Sequence, residues 1–139
     1  MEKEKTIIEA VIERAADGTF DVYCRNEIFS GAGKTIEEAK SDMMRQIAFY
    51  RQTALSEGFK YPAFLDTDYH FRYSVDMTSL MKYYVNTGFL SLSGIEKMTG
   101  INQKQLWSYL NGTKPRKAQI ARLESGFRAF EEDLRSMLA

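Results

Sequence analysis

The spacing of hydrophobic residues changes once along this chain, near residue 76. Before that point, short segments alternate hydrophobic and polar residues as strands do, and one longer segment has the three-and-four spacing of a helix. After it, every periodic segment is helical. The pattern predicts an α+β protein with a sheet-plus-helix domain at residues 1–75 and an all-α domain at residues 76–139.

The first two strands are expected to form a hairpin. In residues 6–13, Ile8, Ala10 and Ile12 fall on one face, with Glu9 and Glu13 on the other. Asp17 and Gly18 predict a two-residue turn, since glycine tolerates positive φ. Residues 20–24 then alternate again as the second strand.

Two further strands complete the predicted sheet. A short third strand is expected around Ile28 and Phe29, ending in the small residues 30–33. Residues 69–75 alternate aromatic and polar side chains, which is typical of a fourth strand with one buried face. The first domain is therefore predicted as βββαβ, one sheet covered on one face by one helix.

The helix of the first domain carries signals at both ends. Thr35 and Glu38 form a capping box, in which each side chain can satisfy a free amide of the first turn. Gly58 is placed to end the helix. Between these signals the apolar residues predict one buried stripe. That stripe consists of Ile36, Ala39, Met43, Ile47, Tyr50 and Ala54.

The second domain is predicted to contain four helices, at residues 77–86, 92–98, 103–110 and 116–138, with Asp76 as a candidate N-cap. The second and third of them have the spacing of a helix-turn-helix: Ile95 lies on the first motif helix, Gly100 permits the turn and Ile101 fills the corner. Three residues of the next helix are expected to face its supporting helices: Leu106, Tyr109 and Leu110. The outward face of that helix consists of Asn102, Gln103, Lys104, Trp107, Ser108 and Asn111.

The chemistry of this outward face suits double-stranded DNA. Asn and Gln amides can pair with an adenine edge and Lys can donate to guanine, while Asn102 also serves as an N-cap. Lys114, Arg116 and Lys117 follow where the last helix begins and are predicted to contact phosphates. Trp107 has two open interpretations, contact with the sugar-phosphate backbone or burial against the last helix. The alternative for the whole segment is an amphipathic helix of an ordinary bundle.

Charge is distributed unevenly, although the formal net charge is zero. Residues 91–123 contain six basic residues and one acid, Glu96, which gives +5, so the rest of the chain carries −5. A basic block on a neutral chain favours a polyanionic partner.

Other classes of function have little support in the sequence. No apolar run approaches the roughly 20 residues of a membrane-spanning helix, and no signal peptide follows Met1, so a cytoplasmic protein is expected. Cys24 is the single cysteine, and no Cys/His spacing suggests a metal or a cofactor. His70 lies on the polar face of a strand. The strand carboxylates are interpreted as surface charges rather than nuclease metal ligands, so no catalytic residue is assigned and an enzyme is not predicted.

Residues 92–123, with GINQKQLWSYLNGTKPRK at their centre, resemble the lambda-repressor-type (Xre-like) helix-turn-helix family. The resemblance implies a DNA-binding domain whose first helix is residues 77–86 and whose elongated last helix is residues 116–138. That family usually has a small residue four positions before the turn glycine, where this chain has Glu96. We expect Glu96 either to reach solvent or to open the helix pair slightly.

The N-terminal half, with SGAGKTIEEAKSDMMRQI after the hairpin, is similar to HicB-type antitoxins, whose partial RNase-H-like βββαβ domain precedes a DNA-binding module. The resemblance implies a transcriptional repressor that binds operator DNA as a homodimer or higher homo-oligomer. It also implies that the N-terminal domain binds a small HicA-type toxin RNase. The alternative is a stand-alone transcriptional regulator whose N-terminal domain oligomerises or senses a ligand, without a toxin partner.

Overall fold

The computed structural model describes residues 6–139. Within them the chain forms four β-strands, five α-helices and one short 3-10 helix, which confirms the α+β class. The chain divides into two compact units, Met1–Asp76 and Met77–Ala139. In the described residues all four strands lie in the first unit, and four of the α-helices lie in the second.

The first unit is a mixed four-stranded sheet. Its strands are β1 (Thr6–Arg14), β2 (Phe20–Cys24), β3 (Ser30–Gly33) and β4 (Tyr69–Val75), in the order β3-β2-β1-β4 across the sheet. β1 pairs antiparallel with β2 and parallel with β4. The parallel pair needs a long crossover, which the helix α1 (Ile36–Glu57) and the 3-10 helix (Ala63–Asp66) provide.

The core of this unit lies between the sheet and α1. Ala10, Val22 and Met43 are fully buried there, and the aromatic residues of β4 pack against them. Every residue of the stripe predicted for α1 is buried or packs against this core, so that prediction is confirmed. Burial raises the pKa of the Cys24 thiol to about 11, so the thiol is protonated at neutral pH.

The loop between β1 and β2 is longer than predicted. The Ala15 amide donates to the Thr19 carbonyl at 2.8 Å, and the Gly18 amide donates to the Ala15 carbonyl at 3.0 Å. The Asp17 carboxylate also accepts from the Thr19 amide at 3.0 Å, which holds Thr19 inside the loop. Gly18 has a φ of 90°, as in a type I turn followed by a glycine bulge. The prediction of a two-residue turn was therefore wrong, although Asp17 and Gly18 do lie in the loop.

The position of β3 also differs from the prediction. The strand begins at Ser30, and the preceding residues are irregular, with Ile28 74% exposed and Phe29 buried. β3 consists of small residues because α1 lies directly over it. A Cβ atom on Gly31 would stand 2.3 Å from the Met43 amide nitrogen. A strand of this composition shows no hydrophobic alternation, so the sequence pattern pointed to its apolar neighbours instead.

Both ends of α1 match the predicted signals. Thr35 Oγ1 accepts from the Glu38 amide at 3.1 Å, and the Glu38 carboxylate accepts from the Lys34 amide at 2.9 Å. In a standard capping box the Glu38 carboxylate would accept from the amide of the N-cap, Thr35. Here its donor is the amide one residue earlier, that of Lys34. Gly58 ends the helix in the left-handed region, with a φ of 76°.

The second unit consists of four helices, each within one residue of its predicted bounds at either end: α2 (Met77–Asn86), α3 (Leu92–Thr99), α4 (Gln103–Leu110) and α5 (Lys117–Leu138). Each of these helices contributes to one apolar core. Its fully buried members include Met81, Ile95, Leu106 and Leu123. None of the helices in residues 6–139 combines the length and the hydrophobicity needed to cross a membrane.

Candidate nucleic-acid interface

A tight turn joins α3 to α4. Gly100 has a φ of 74°, and its amide donates to the Glu96 carbonyl at 2.7 Å. The Thr99 hydroxyl donates to the Ile95 carbonyl at 2.7 Å and accepts from the Ile101 amide at 3.2 Å. Ile101 is buried in the corner. Gly100 and Ile101 thus occupy the positions that the sequence predicted for them.

Glu96 caps the second helix of the pair. Its carboxylate accepts a hydrogen bond from the backbone amide of Gln103 at 3.0 Å. The two helices stay closely packed, since Ile95 of α3 and Leu106 of α4 are fully buried. A negative charge is favourable at this end of α4, where the first amides lack partners within the helix. Of the two expected outcomes, the structure does not show an opened helix pair; Glu96 is half-buried, and its side chain is long enough to reach past the turn to α4.

Replacing Glu96 with alanine should destabilise the second unit by about 1 kcal/mol, the usual effect of losing a helix cap. Glu96→Gln should recover part of that stability, since its amide oxygen can still accept from Gln103. Trp107, the only tryptophan, reports on this unit by fluorescence during denaturation. A Glu96→Ala protein as stable as the wild type would show that the bond to Gln103 contributes nothing.

α5 supports the same turn from another side. Arg122 Nη2 donates to the Gly100 carbonyl at 3.0 Å. Gly126 lies where α5 comes close to α3. A Cβ atom on Gly126 would stand 2.7 Å from the Met98 carbonyl oxygen, which leaves no room for a side chain. Neither Arg122 nor Gly126 has a role that the sequence pattern predicted. A glycine inside a helical pattern is the signal that indicates such close packing.

The nine predicted DNA-contact residues lie on α4, the loop after it and the start of α5. Ser108 is half-buried and the other eight are exposed. The buried residues of α4, Leu106 and Tyr109, lie on its opposite face. The exposed eight are Asn102, Gln103, Lys104, Trp107, Asn111, Lys114, Arg116 and Lys117.

Three of the nine side chains bond to the backbone of α4. Asn102 Oδ1 accepts from the Gln105 amide at 2.8 Å, which confirms its role as N-cap. Ser108 Oγ donates to the Gln105 carbonyl at 2.6 Å, and Asn111 Nδ2 donates to the Trp107 carbonyl at 2.9 Å. These bonds orient the three side chains and use part of their hydrogen-bonding capacity.

Gln103, Lys104 and Trp107 form the centre of the exposed face. Gln103 and Lys104 occupy the first turn of α4, and neither side chain has a hydrogen-bond partner within residues 6–139. Trp107 follows one turn after Gln103 and is 58% exposed. This exposure excludes burial of the indole against the last helix. Contact between Trp107 and a sugar-phosphate backbone stays a prediction.

The basic residues of this region are not neutralised by nearby carboxylates. Among the described residues, Lys104, Lys114, Arg116 and Lys117 form no ion pair. No Asp or Glu occurs in residues 97–123, and residues 77–139 as a whole contain nine basic and five acidic residues, a net charge of +4. The basic residues of α4 and of the start of α5 therefore lie in a unit of net positive charge.

The first unit has a surface groove that the sequence did not reveal. It has a volume of about 570 Å³ and lies beside β2, β3 and α1. The exposed side chains of Ile28 and Phe49 supply apolar surface. Three carboxylates line the groove, those of Glu13, Asp21 and Asp42, and no Lys or Arg does.

Strand pairing brings carboxylates together at one end of the sheet. Glu13 is paired with Asp21 across β1 and β2, and the Asp76 amide donates to the Ile12 carbonyl at 2.9 Å, next to Glu13. Burial raises the pKa of Glu13, and the charge of Asp76 adds to this, although a 3.1 Å hydrogen bond from Tyr23 acts in the opposite direction. In the described part of the chain, no group of three or more His, Cys, Asp or Glu side chains is arranged to hold a metal ion.

Comparisons of the chain with protein-family models, with curated proteins and with solved structures give no match. The exposed face of α4, with Gln103, Lys104 and Trp107 at its centre, is the structural feature that bears most directly on function.

Proposed function

We propose that this protein is a transcriptional repressor that binds operator DNA through α3 and α4, with α4 in the major groove. The observation that carries the proposal is the division of α4 into two faces. One face is buried in the core, and the other presents Gln103, Lys104 and Trp107 to solvent. Repression would be steric, because a protein bound at the operator blocks access to the promoter.

Each part of the exposed face has a defined role in this proposal. The side-chain amide of Gln103 is suited to the N6 and N7 edge of adenine. The Lys104 ammonium group is suited to the O6 and N7 edge of guanine. Lys114, Arg116 and Lys117 contact phosphates and set the register of the protein on the duplex.

The supports of α4 are as important as its exposed residues. Glu96 caps its first turn, and Arg122 bonds to the turn before it. A reading helix must be held rigidly, because base contacts tolerate errors of only about 0.5 Å. The bonds of Glu96 and Arg122 support the proposal, because they fix α4 to α3 and fix the turn to α5.

Two variants test this proposal against an operator selected from random or genomic DNA. Gln103→Ala should lose about 1–3 kcal/mol of discrimination at one base position, because its contact is with a base. Lys117→Ala should weaken specific and non-specific binding alike and reduce the salt slope by about 1, because its contact is with a phosphate. Lys60→Ala, which removes an exposed lysine from the first unit, is the control. Wild-type binding by both test variants would refute α4 as the reader.

We infer further that the first unit is the partner-binding half of a HicB-like antitoxin and masks a small, basic HicA-type toxin RNase. The resemblance of residues 30–47 suggested this function, and the charge of the first unit supports it. Residues 1–76 contain fourteen acidic and ten basic residues, a net charge of −4, and the groove is lined by three carboxylates. Such a surface is complementary to a basic protein.

The antitoxin role is tested by searching for a small basic protein encoded next to this chain and purifying the two together. The basic protein should co-purify with the wild-type protein, and its RNase activity should fall when the complex forms. If no such reading frame exists, or if its product retains full activity, the stand-alone regulator is favoured. The groove of the first unit also supports that alternative, because its volume and its mixture of aromatic and acidic residues suit a small cationic ligand.

A further inference from the structure

Trp107 is the one exposed apolar side chain of α4. Its ring is 58% exposed, and within residues 6–139 its indole nitrogen has no hydrogen-bond partner. The other exposed residues of this helix, Gln103 and Lys104, are polar, and the apolar residue just before Trp107, Leu106, is fully buried. The indole is therefore free to contact a partner of α4.

The position of Trp107 on the helix places its ring near the base-reading turn. Gln103 and Lys104 precede it by four and three residues, so the three side chains lie on one face. Side chains of an α-helix lean toward its N-terminus, and the surface that a residue covers lies over the preceding turn. The indole thus lies beside the two residues that we assign to base contacts, whereas the phosphate contacts Lys114 and Lys117 follow the C-terminal end of α4.

The chemistry of the indole selects its partner within DNA. A phosphate can accept one hydrogen bond from the indole N–H, but it leaves the apolar area of the ring in water. In the major groove of unmodified DNA the one apolar group is the 5-methyl group of thymine. We propose that Trp107 packs on the 5-methyl group of a thymine and thereby determines part of the operator sequence. The inference rests on the proposed function, because it requires α4 to lie in the major groove.

This contact adds a kind of discrimination that the neighbouring side chains lack. Gln103 and Lys104 distinguish bases by hydrogen bonds, whereas Trp107 distinguishes thymine from cytosine by apolar contact with a methyl group. In an A·T pair, that methyl group and the N6 and N7 atoms of adenine lie in the same groove. Trp107 and Gln103 can therefore contact one A·T pair, or two adjacent pairs, from the same face of α4.

Removal of single methyl groups from the operator tests the proposal without altering the protein. Each thymine of the selected operator is replaced in turn by deoxyuridine, which keeps the base pair and lacks the methyl group. The full-length wild type should bind one of these fragments about four-fold more weakly, the effect of one carbon group returned to water. Thymines in the flanking duplex are the control, and their replacement should have no effect.

Variants of Trp107 connect that effect to the indole. Trp107→Ala should bind the unmodified operator about 10-fold more weakly, and it should no longer distinguish the sensitive uracil fragment from it. Trp107→Phe should keep the distinction, because its ring still covers a methyl group although it has no N–H. Lys117→Ala is the matched control, since it should weaken binding to both fragments and keep their ratio. Position 107 is exposed, so these variants should fold, which circular dichroism can verify.

Photocrosslinking locates the contact directly. 5-Iododeoxyuridine places iodine where thymine has its methyl group, and irradiation breaks the carbon–iodine bond so that C5 of the base can bond to an aromatic ring beside it. A crosslink should form at the position where uracil weakens binding. Mass spectrometry of the tryptic peptide of residues 105–116 should locate that crosslink at Trp107, and Trp107→Ala should abolish it.

An operator in which no uracil substitution weakens binding would overturn the inference, as would a uracil effect of the same size in Trp107→Ala. If Trp107→Ala instead weakens specific and non-specific binding equally and Trp107→Phe is no better, the indole contacts the sugar-phosphate backbone and the inference is wrong. These results leave the proposed function in place, because the protein still binds its operator. A wild type that binds no operator would contradict both.

Discussion

Replacing Gly31 with alanine should destabilise the first unit by roughly 3 kcal/mol or more. The added Cβ atom would stand 2.3 Å from the Met43 amide nitrogen and 2.4 Å from the Ala39 carbonyl oxygen. Both atoms belong to the backbone of α1, so neither can move aside by a side-chain rotation. The substitution therefore forces α1 away from β3 and opens the core between them.

Hydrogen exchange measured by mass spectrometry on the full chain can localise this effect. Peptides from β3 and α1 should lose protection, whereas peptides from α4 and α5 should not, because they belong to the other unit. Ser30→Ala is the matched control, since it changes an exposed residue of the same strand and adds no atom. Wild-type protection in the Gly31→Ala protein would show that α1 does not approach β3 as closely as the structure has it.

Replacing Gly126 with alanine should destabilise the second unit by about 2 kcal/mol, although alanine is the better helix former by about 1 kcal/mol. The added Cβ atom would stand 2.7 Å from the Met98 carbonyl oxygen and 2.7 Å from Thr99 Cγ2. The Thr99 hydroxyl accepts from the Ile101 amide in the turn before α4. Displacement of α5 should therefore also disturb the orientation of α4 and weaken operator binding.

Gly94→Ala provides a control within the same unit. The nearest atom to its added Cβ would be Ser91 Oγ at 3.3 Å, and Gly94 lies inside α3. Gly94→Ala should leave the free energy of unfolding of the second unit unchanged or raise it by up to about 1 kcal/mol, because alanine has the higher helix propensity. The two variants are compared in two ways. Their stability is measured by denaturation, monitored through Trp107 fluorescence, and their operator affinity is measured on the same samples. A Gly126→Ala protein that is stabilised like Gly94→Ala would contradict close packing of α5 on the end of α3.

These two glycines show why part of the fold was not predictable from local patterns. Alternation and helical spacing reveal a segment only where its residues differ in polarity. β3 contains no large apolar residue and is shaped by its contact with α1, so its start was misplaced. Gly126 lies inside a correctly predicted helix, but its function depends on Met98, which is distant in the sequence.

The candidate interface also combines features that follow from the sequence of one helix with features that depend on contacts between helices. The exposed and buried faces of α4 follow from the order of residues along one helix, and the structure agrees with the predicted faces except at Ser108, which is half-buried. The capping bond of Glu96 and the bond from Arg122 to Gly100 join residues of different helices. The family resemblance led us to expect that Glu96 would reach solvent or open the helix pair, because the pattern compares residue size and ignores the reach of a side chain, and it did not predict the bond to Gln103.

Local sequence patterns were enough to predict the bounds of nearly every helix and strand, the change from strand to helical periodicity near residue 76, and most of the exposed face of α4. Those features depend on neighbouring residues and on caps, which act within one turn. Tertiary structure alone decided the path of β3, the exposure of Trp107, the capping by Glu96, and the grouping of Glu13 with Asp76. These depend on distances between segments that are remote in the chain, and such distances are set by packing.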